Sequence, residues 1–321
     1  GNGGNDALYV QGTISADTLW ADDVKLVNEV TVAAGVTLTI APGVTIYGYD
    51  VDSGLHVEGT LIANATSDAN RIVFTSDNDT PVAGDWDGIW FKAGSSGSLK
   101  YVTVEYAGGG YVSDVSGRGN FSSAIRIESS PILEHVIVRD VDYSGNSNTS
   151  HGIELVGSAA PVIANVLIEN VSSYGIYVPS NATGNYSITY AEITGAGYGV
   201  YVSGTGAYQF AHNNIHDNSY AGTWNSNGSS TVVNNTISSN GGNDALYVQG
   251  TISADTLWAD DVKLVNEVTV AAGVTLTIAP GVTIYGYDVD SGLHVEGTLI
   301  ANATSDANRI VFTSDNDTPV A

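Results

Sequence analysis

The run NEVTVAAGVTLTIAPGVTIYGYDVDSGLHVEGTLIANATSDANRIVFTSDND (residues 28–79) is made of short apolar–polar–apolar phrases broken by Gly, Asn, Asp or Pro. Alternation with a period of two, rich in Val, Ile and Thr, describes strands that bury one face. The breakers between the phrases describe turns. No stretch sustains a helical period with caps, and none approaches the 18 or so apolar residues of a membrane span.

The same phrase recurs outward from this run. A small residue precedes three that read apolar–outward–apolar at Ala7, Gly35, Gly54, Gly88, Ala124, Gly152, Gly175, Gly199 and Gly222, and then at Ala245. A second strand follows most anchors, as in LKYVTVEY (99–106), ILEHVIVRDV (132–141) and QFAHNNIHDN (209–218). The anchors are spaced 19–36 residues apart, which is the period of a β-solenoid. Segments 76–86, 107–120 and 142–150 read as surface insertions in the longer coils.

Residues 2–83 return unchanged as residues 240–321, an offset of 238. Residues 1–239 therefore read as one complete unit of about nine coils, and 240–321 as the first third of an identical next unit. The step from Gly222 to Ala245 equals the coil spacing before it, with no linker. The expected fold is all-β, a parallel β-helix that runs through the unit junction. At about 4.8 Å per rung, nine coils advance about 43 Å. Neither end carries a capping element and the chain lacks Met, so a segment of a longer or processed array is expected.

Nine Lys and Arg against 34 Asp and Glu give a net charge of −25, which disfavours nucleic acid and anionic lipid. The absence of Cys excludes a disulfide framework and thiolate metal sites. Sequons at Asn64, Asn78, Asn120, Asn148, Asn170, Asn181, Asn185, Asn227 and Asn234 lie mostly in turns. They fit a secreted glycoprotein as well as they fit an Asn-rich composition.

Residues 28–79 together with GDWDGIWFKAGSSGSLKYVTVEYAGG (84–109) resemble right-handed parallel β-helix proteins of the pectate-lyase-like superfamily, and in particular repeat-bearing bacterial and archaeal surface proteins. AHNNIHDN and VNNTISSN are similar to their Asn-bearing coils. The resemblance implies a right-handed helix and secretion; it implies no activity.

The outward residues of the phrases are Tyr9, Thr37, His56, Trp90, Arg126, Glu154, Tyr177, Tyr201, Trp224 and Tyr247. Because strand side chains alternate, they are expected to form one exposed column. Its aromatic members, Tyr177, Tyr201, Trp224 and Tyr247 with Tyr9 and Trp90, form a ladder. That ladder either stabilises itself or contacts another rod or a sugar. Asp77, Asp79, Asp85 and Asp87 supply oxygen ligands for a structural Ca²⁺. His212 and His216 lie about 13 Å apart on a strand, too far for one zinc ion. Asn213, Asn214, Asn234 and Asn235 read as amide ladders between coils. No catalytic residue is assigned; Asp85, Asp87 and Lys92 are the set that an enzyme would use. Three functions follow, in order. The first is a self-associating extracellular structural protein that forms a filament, sheath or surface layer. The second is an adhesin or carbohydrate-binding stalk, and the third a polysaccharide lyase or hydrolase.

Overall fold

The computed structural model describes residues 7–109, 122–142, 150–219, 221–225, 227–241 and 243–315. These residues form parallel strands and two short 3₁₀ turns, Asp68–Asn70 and Asp306–Asn308. No helix among them is long and apolar enough to cross a membrane.

The strands stack as three walls. The first carries the inward line Val24, Ile46, Phe74, Val104, Val138, Ile168, Ile193, Ile215 and Ile237. The second carries Val30, Leu55, Ile89, Ile125, Ile153, Ile176, Val200 and Thr223. Strands such as Leu167–Val178 and Glu192–Val202 bend from the first wall into the second, so both walls share one 20-stranded sheet. The third wall is a separate 12-stranded sheet, three of whose strands belong to the second copy, leaving nine coils per unit.

Two corners are set by backbone conformation. Between walls three and one stand Tyr101, His135, Asn165, Tyr190, His212 and Asn234, with φ between 50 and 58°. Asp140, Asn170, Asp217 and Ser239 hold the same left-handed conformation where wall one bends into wall two. Asn and Asp tolerate this region better than other side chains, which accounts for part of the chain's Asn content. The corners also correct the sequence reading: LKYVTVEY is two strands, Ser96–Lys100 and Val102–Glu105, hinged at Tyr101. Flat rings cover the corner line, with Tyr101 on His135 at 4.5 Å and Tyr190 on His212 at 4.8 Å.

The small anchor residues of wall two have a steric reason. A Cβ on Gly152, Gly175 or Gly199 would come within 2.3–2.6 Å of the carbonyl oxygen of the next anchor, Gly175, Gly199 or Gly222. Two of the expected anchors lie elsewhere. Ala7 precedes a wall-one strand, and the Gly35 phrase feeds Thr37–Ile40 of wall three. The opening coils are short, so a three-residue phrase does not reveal which wall it joins.

The inward line of wall three passes Phe210, Val232, Trp258 and Ile278 without a break at the unit junction. Wall two also continues, with Thr223 pairing Leu246. Leu246, however, next pairs with Val262, the copy of Val24. Wall two of the first unit thus becomes wall one of the second. The old wall one stops at Thr236–Ser238, whose only strand partner among the described residues is Asn214–His216.

Amide ladders brace the corners and cross this step. The Asn213 amide donates to Asn235 Oδ1 at 2.9 Å, and the Asn235 amide to Asp260 Oδ2 at 2.7 Å. Asn218, Asn240 and Asp244 form a second such line. Asn214 and Asn234, expected in the ladders, instead occupy a strand and a corner.

Candidate functional site

The outward line of wall two runs His56, Trp90, Arg126, Glu154, Tyr177, Tyr201, Trp224 and Tyr247, one residue per rung. Tyr9 and Thr37 are not on it: Tyr9 pairs with Lys25 on wall one, and Thr37 with Thr60 on wall three. Yet Tyr247, the copy of Tyr9, does join the line, because the junction shifts the walls. Tyr9 is 60% exposed and Tyr247 2%. The side chain of Trp224 lies outside the described residues.

The line is also not the exposed column that alternation implies, since His56, Arg126 and Glu154 are buried. A second outward line, Ser123, His151, Tyr174 and Tyr198, stands beside it. Each member immediately precedes a small anchor. Residues three apart on a regular strand point to opposite faces. Here the ladder passes over the anchor on both strands with the register unchanged, and the side chains before and two after it meet. The rings meet accordingly. Tyr174 stacks on Tyr177 at 5.0 Å, Tyr177 meets Tyr201 at 5.8 Å, and His151 lies 4.4 Å from Tyr177.

Upstream of the aromatic floor the site is polar. Glu154 is fully buried; its Oε2 accepts from Ser123 Oγ at 3.0 Å and from Arg126 Nη1 at 3.3 Å. Arg126 also reaches Glu128 Oε1 at 3.3 Å and lies 5.0 Å from the Trp90 ring. Burial raises the Glu154 pKa, opposed by Arg126 and Ser123. Burial also pushes His151 down to about 3, so its imidazole is neutral. Among the described residues, Glu154 Oε1, His151 Nδ1, Ser150 Oγ and Trp90 Nε1 are buried without a hydrogen-bond partner. Buried polar atoms are seldom left this way in folded proteins. Ser123, His151, Tyr174 and Tyr198 escaped the sequence reading, although the residue before each anchor repeats as regularly as the one it recognised.

Glu29 and Asp87 hold His56 from two sides, 2.8 Å from Nδ1 and 3.6 Å from Nε2. Burial pulls the His56 pKa down, but the two carboxylates more than offset this and leave it raised. The His56 contact in turn lowers Glu29 to about 2. A raised imidazole stabilises the fold fully below its unfolded value of 6.5 and loses that contribution as pH climbs through the folded pKa. A lowered carboxylate contributes above 4.5 and fails as pH falls toward 2. The clamp is therefore strongest between those values. Thermal melts of the wild type and of His56→Gln should differ most at pH 5–6, and the difference should shrink as pH climbs above 6.5 through the raised folded pKa. A difference that does not vary with pH would refute the clamp.

The remaining expected sites are dispersed. Asp77 pairs with Lys25 at 2.7 Å. Asp85 Oδ2 accepts from Ser76 Oγ and from the Val82 amide, so it closes its own loop. Asp79 is exposed, and Asp87 faces His56. Among the described residues no three His, Asp or Glu are placed to share a cation, and the four Asp do not converge. Lys92 pairs with Glu58 at 3.3 Å and lies over Trp90, apart from Asp85. His216 contacts Asp217 and Glu192, whereas His212 stacks on Tyr190. Asn64, Asn78, Asn181 and Asn185 are exposed. Asn227 is buried and donates its amide to the carbonyls of Gly204 and Gly206, so it is not available to a glycan. Asn120 and Asn148 lie outside the described residues.

Residues 151–314 match the family model of the right-handed β-helix region, and residues 12–93 that of the pectate-lyase-like β-helix domain. No curated protein is a significant match. The crystal structure of the Dettilon tailspike protein (gp208) aligns over 96% of this chain at 11% identity and a TM-score of 0.37. The chain spans 62% of that tailspike's length.

Proposed function

This chain belongs to the right-handed β-helix family, and from that premise we propose that it is an extracellular structural protein whose tandem units build one continuous cell-surface rod. The observation that carries this reading is the junction, where Val232 pairs Trp258 and Thr223 pairs Leu246 as ordinary successive rungs. Flexibly tethered domains would part at that point; a filament, sheath or surface layer needs it stiff. The acidic surface and exposed sequons support an exterior location, with rods associating laterally into a larger assembly.

The test is length against unit number. Chains of one, two, three and four 238-residue units should appear in electron micrographs as straight rods. Each added unit should lengthen the rod by about 43 Å, nine rungs at about 4.8 Å. Beads joined by variable angles would rule the reading out.

A second reading, a carbohydrate-contacting stalk, is favoured by the adjoining, partly exposed rings of Tyr174, Tyr177 and Tyr201. Glycan arrays probed with the wild type and with Tyr177→Ala test it, and only binding lost in the variant supports it. We assign no catalysis to these two lines of residues. Polysaccharide turnover abolished by Glu154→Gln would overturn that assignment.

A further inference from the structure

The first wall of the leading unit ends inside the rod. Thr236–Ser238 pairs with Asn214–His216 on one side and with no strand on the other among the described residues. The next coil does not cover it, because Val262 has moved across to Leu246. A ledge remains, with a cavity of about 350 Å³ lined by Asn235, Ile237, Asp244, Ala245, Ala259, Asp260 and Asp261. Its floor is Ile237, last of the inward line of wall one and only partly buried, whereas Ile215 one rung below is fully buried.

We propose that this ledge receives an extended basic peptide segment of a partner protein, which adds one strand beside Thr236–Ser238. Three properties of the ledge specify the occupant. An open edge presents backbone groups spaced for another backbone, so the partner is a polypeptide in strand conformation. Ile237 calls for an apolar side chain facing inward at the middle of the added strand. Asp244, Asp260 and Asp261 ring the opening, so the alternate, outward residues should be Lys or Arg. At this ring of three Asp a strand from another copy is disfavoured, because the chain offers few basic residues, nine Lys and Arg against 34 Asp and Glu. The carboxylates are already held in place. Asp260 accepts from Asn235, Asp261 Oδ1 from the Thr283 amide at 2.8 Å, and Asp244 Oδ1 from the Asn240 amide at 2.9 Å. Their positions are therefore fixed before the partner arrives. Because every junction of identical units repeats the ledge, an array would bind such segments at one site per unit.

The probe is a synthetic peptide of alternating Lys and Val, with alternating Glu and Val as the control, titrated into the full chain by calorimetry and followed by amide hydrogen exchange. The Lys peptide should bind once per junction, and exchange should slow at Ile237, whose amide faces the open edge while that of Thr236 donates to Asn213 below. Asp244→Asn with Asp261→Asn keeps both hydrogen-bond acceptors and removes two charges, and should weaken binding at least tenfold. N-methylation of the peptide at alternate residues should abolish it. Absence of binding, or binding without protection at Ile237, would overturn the proposal. Equal affinity for the doubly substituted chain would do so as well, marking the peptide as a general counterion of an acidic protein. Should the substituted chain fail to fold, the exchange pattern and the N-methylated peptide still decide the question.

Discussion

Replacing Trp258 with Ala should uncouple the two units. Trp258 is fully buried, pairs with Val232 of the first unit and stacks its rung against Ile278 of the second. Truncating a buried Trp costs about 3–5 kcal/mol, through lost transfer energy and the cavity left behind. In a solenoid each coil touches only its neighbours, so the loss concentrates at one interface and is not shared over the rod. Hydrogen exchange should therefore accelerate from Ser253 onward while the coils between Val102 and Val202 keep their protection. Limited proteolysis should cut near the junction, and multi-unit rods carrying the change should bend or break at 43 Å intervals. Trp20→Ala, the same residue in the first coil, should leave the junction itself intact. If both changes destabilise the whole chain equally, the units do not behave as a linear stack.

The second large effect is expected from Arg126→Ala. The substitution removes the cation next to Glu154, a carboxylate with no exposed surface. Breaking a buried pair on one side typically costs about 3–5 kcal/mol, because the remaining charge is neither solvated nor compensated. The pH dependence identifies the cause. Burial already raises the Glu154 pKa above its ordinary value, and loss of Arg126 raises it further. Such a group favours the folded state below its unfolded pKa and opposes it as pH rises through the folded one. Chemical denaturation should accordingly show the deficit of Arg126→Ala shrinking as pH is lowered toward 4.5. Arg126→Ala combined with Glu154→Gln should recover most of the lost stability at neutral pH. A deficit that persists at low pH and in the double variant would instead assign the loss to packing against Trp90.

Much of the fold was legible because a solenoid repeats its grammar. Val24, Ile46 and Phe74, or Ile153, Ile176 and Val200, recur one coil apart in the chain as they do one rung apart in space. The site was half legible. Arg126, Glu154, Tyr177 and Tyr201 follow from alternation, whereas His151 and Tyr174 violate it. The anchor between them leaves the ladder, and the missing Cβ makes room for the carbonyl packed against it from the next coil. Burial was not legible, since it depends on the second outward line beside the first.

The sequence by itself determined the parallel β-helix, its nine coils per unit and its passage through the junction, because these depend on local alternation and spacing. Only the tertiary structure decided which wall each strand joins. Leu8–Tyr9–Val10 and Leu246–Tyr247–Val248 are the same letters, yet Tyr9 is open and Tyr247 is buried. The difference is that Leu246 has Thr223 beneath it. A strand's partners lie a whole coil away, and identical segments acquire different roles when different coils precede them.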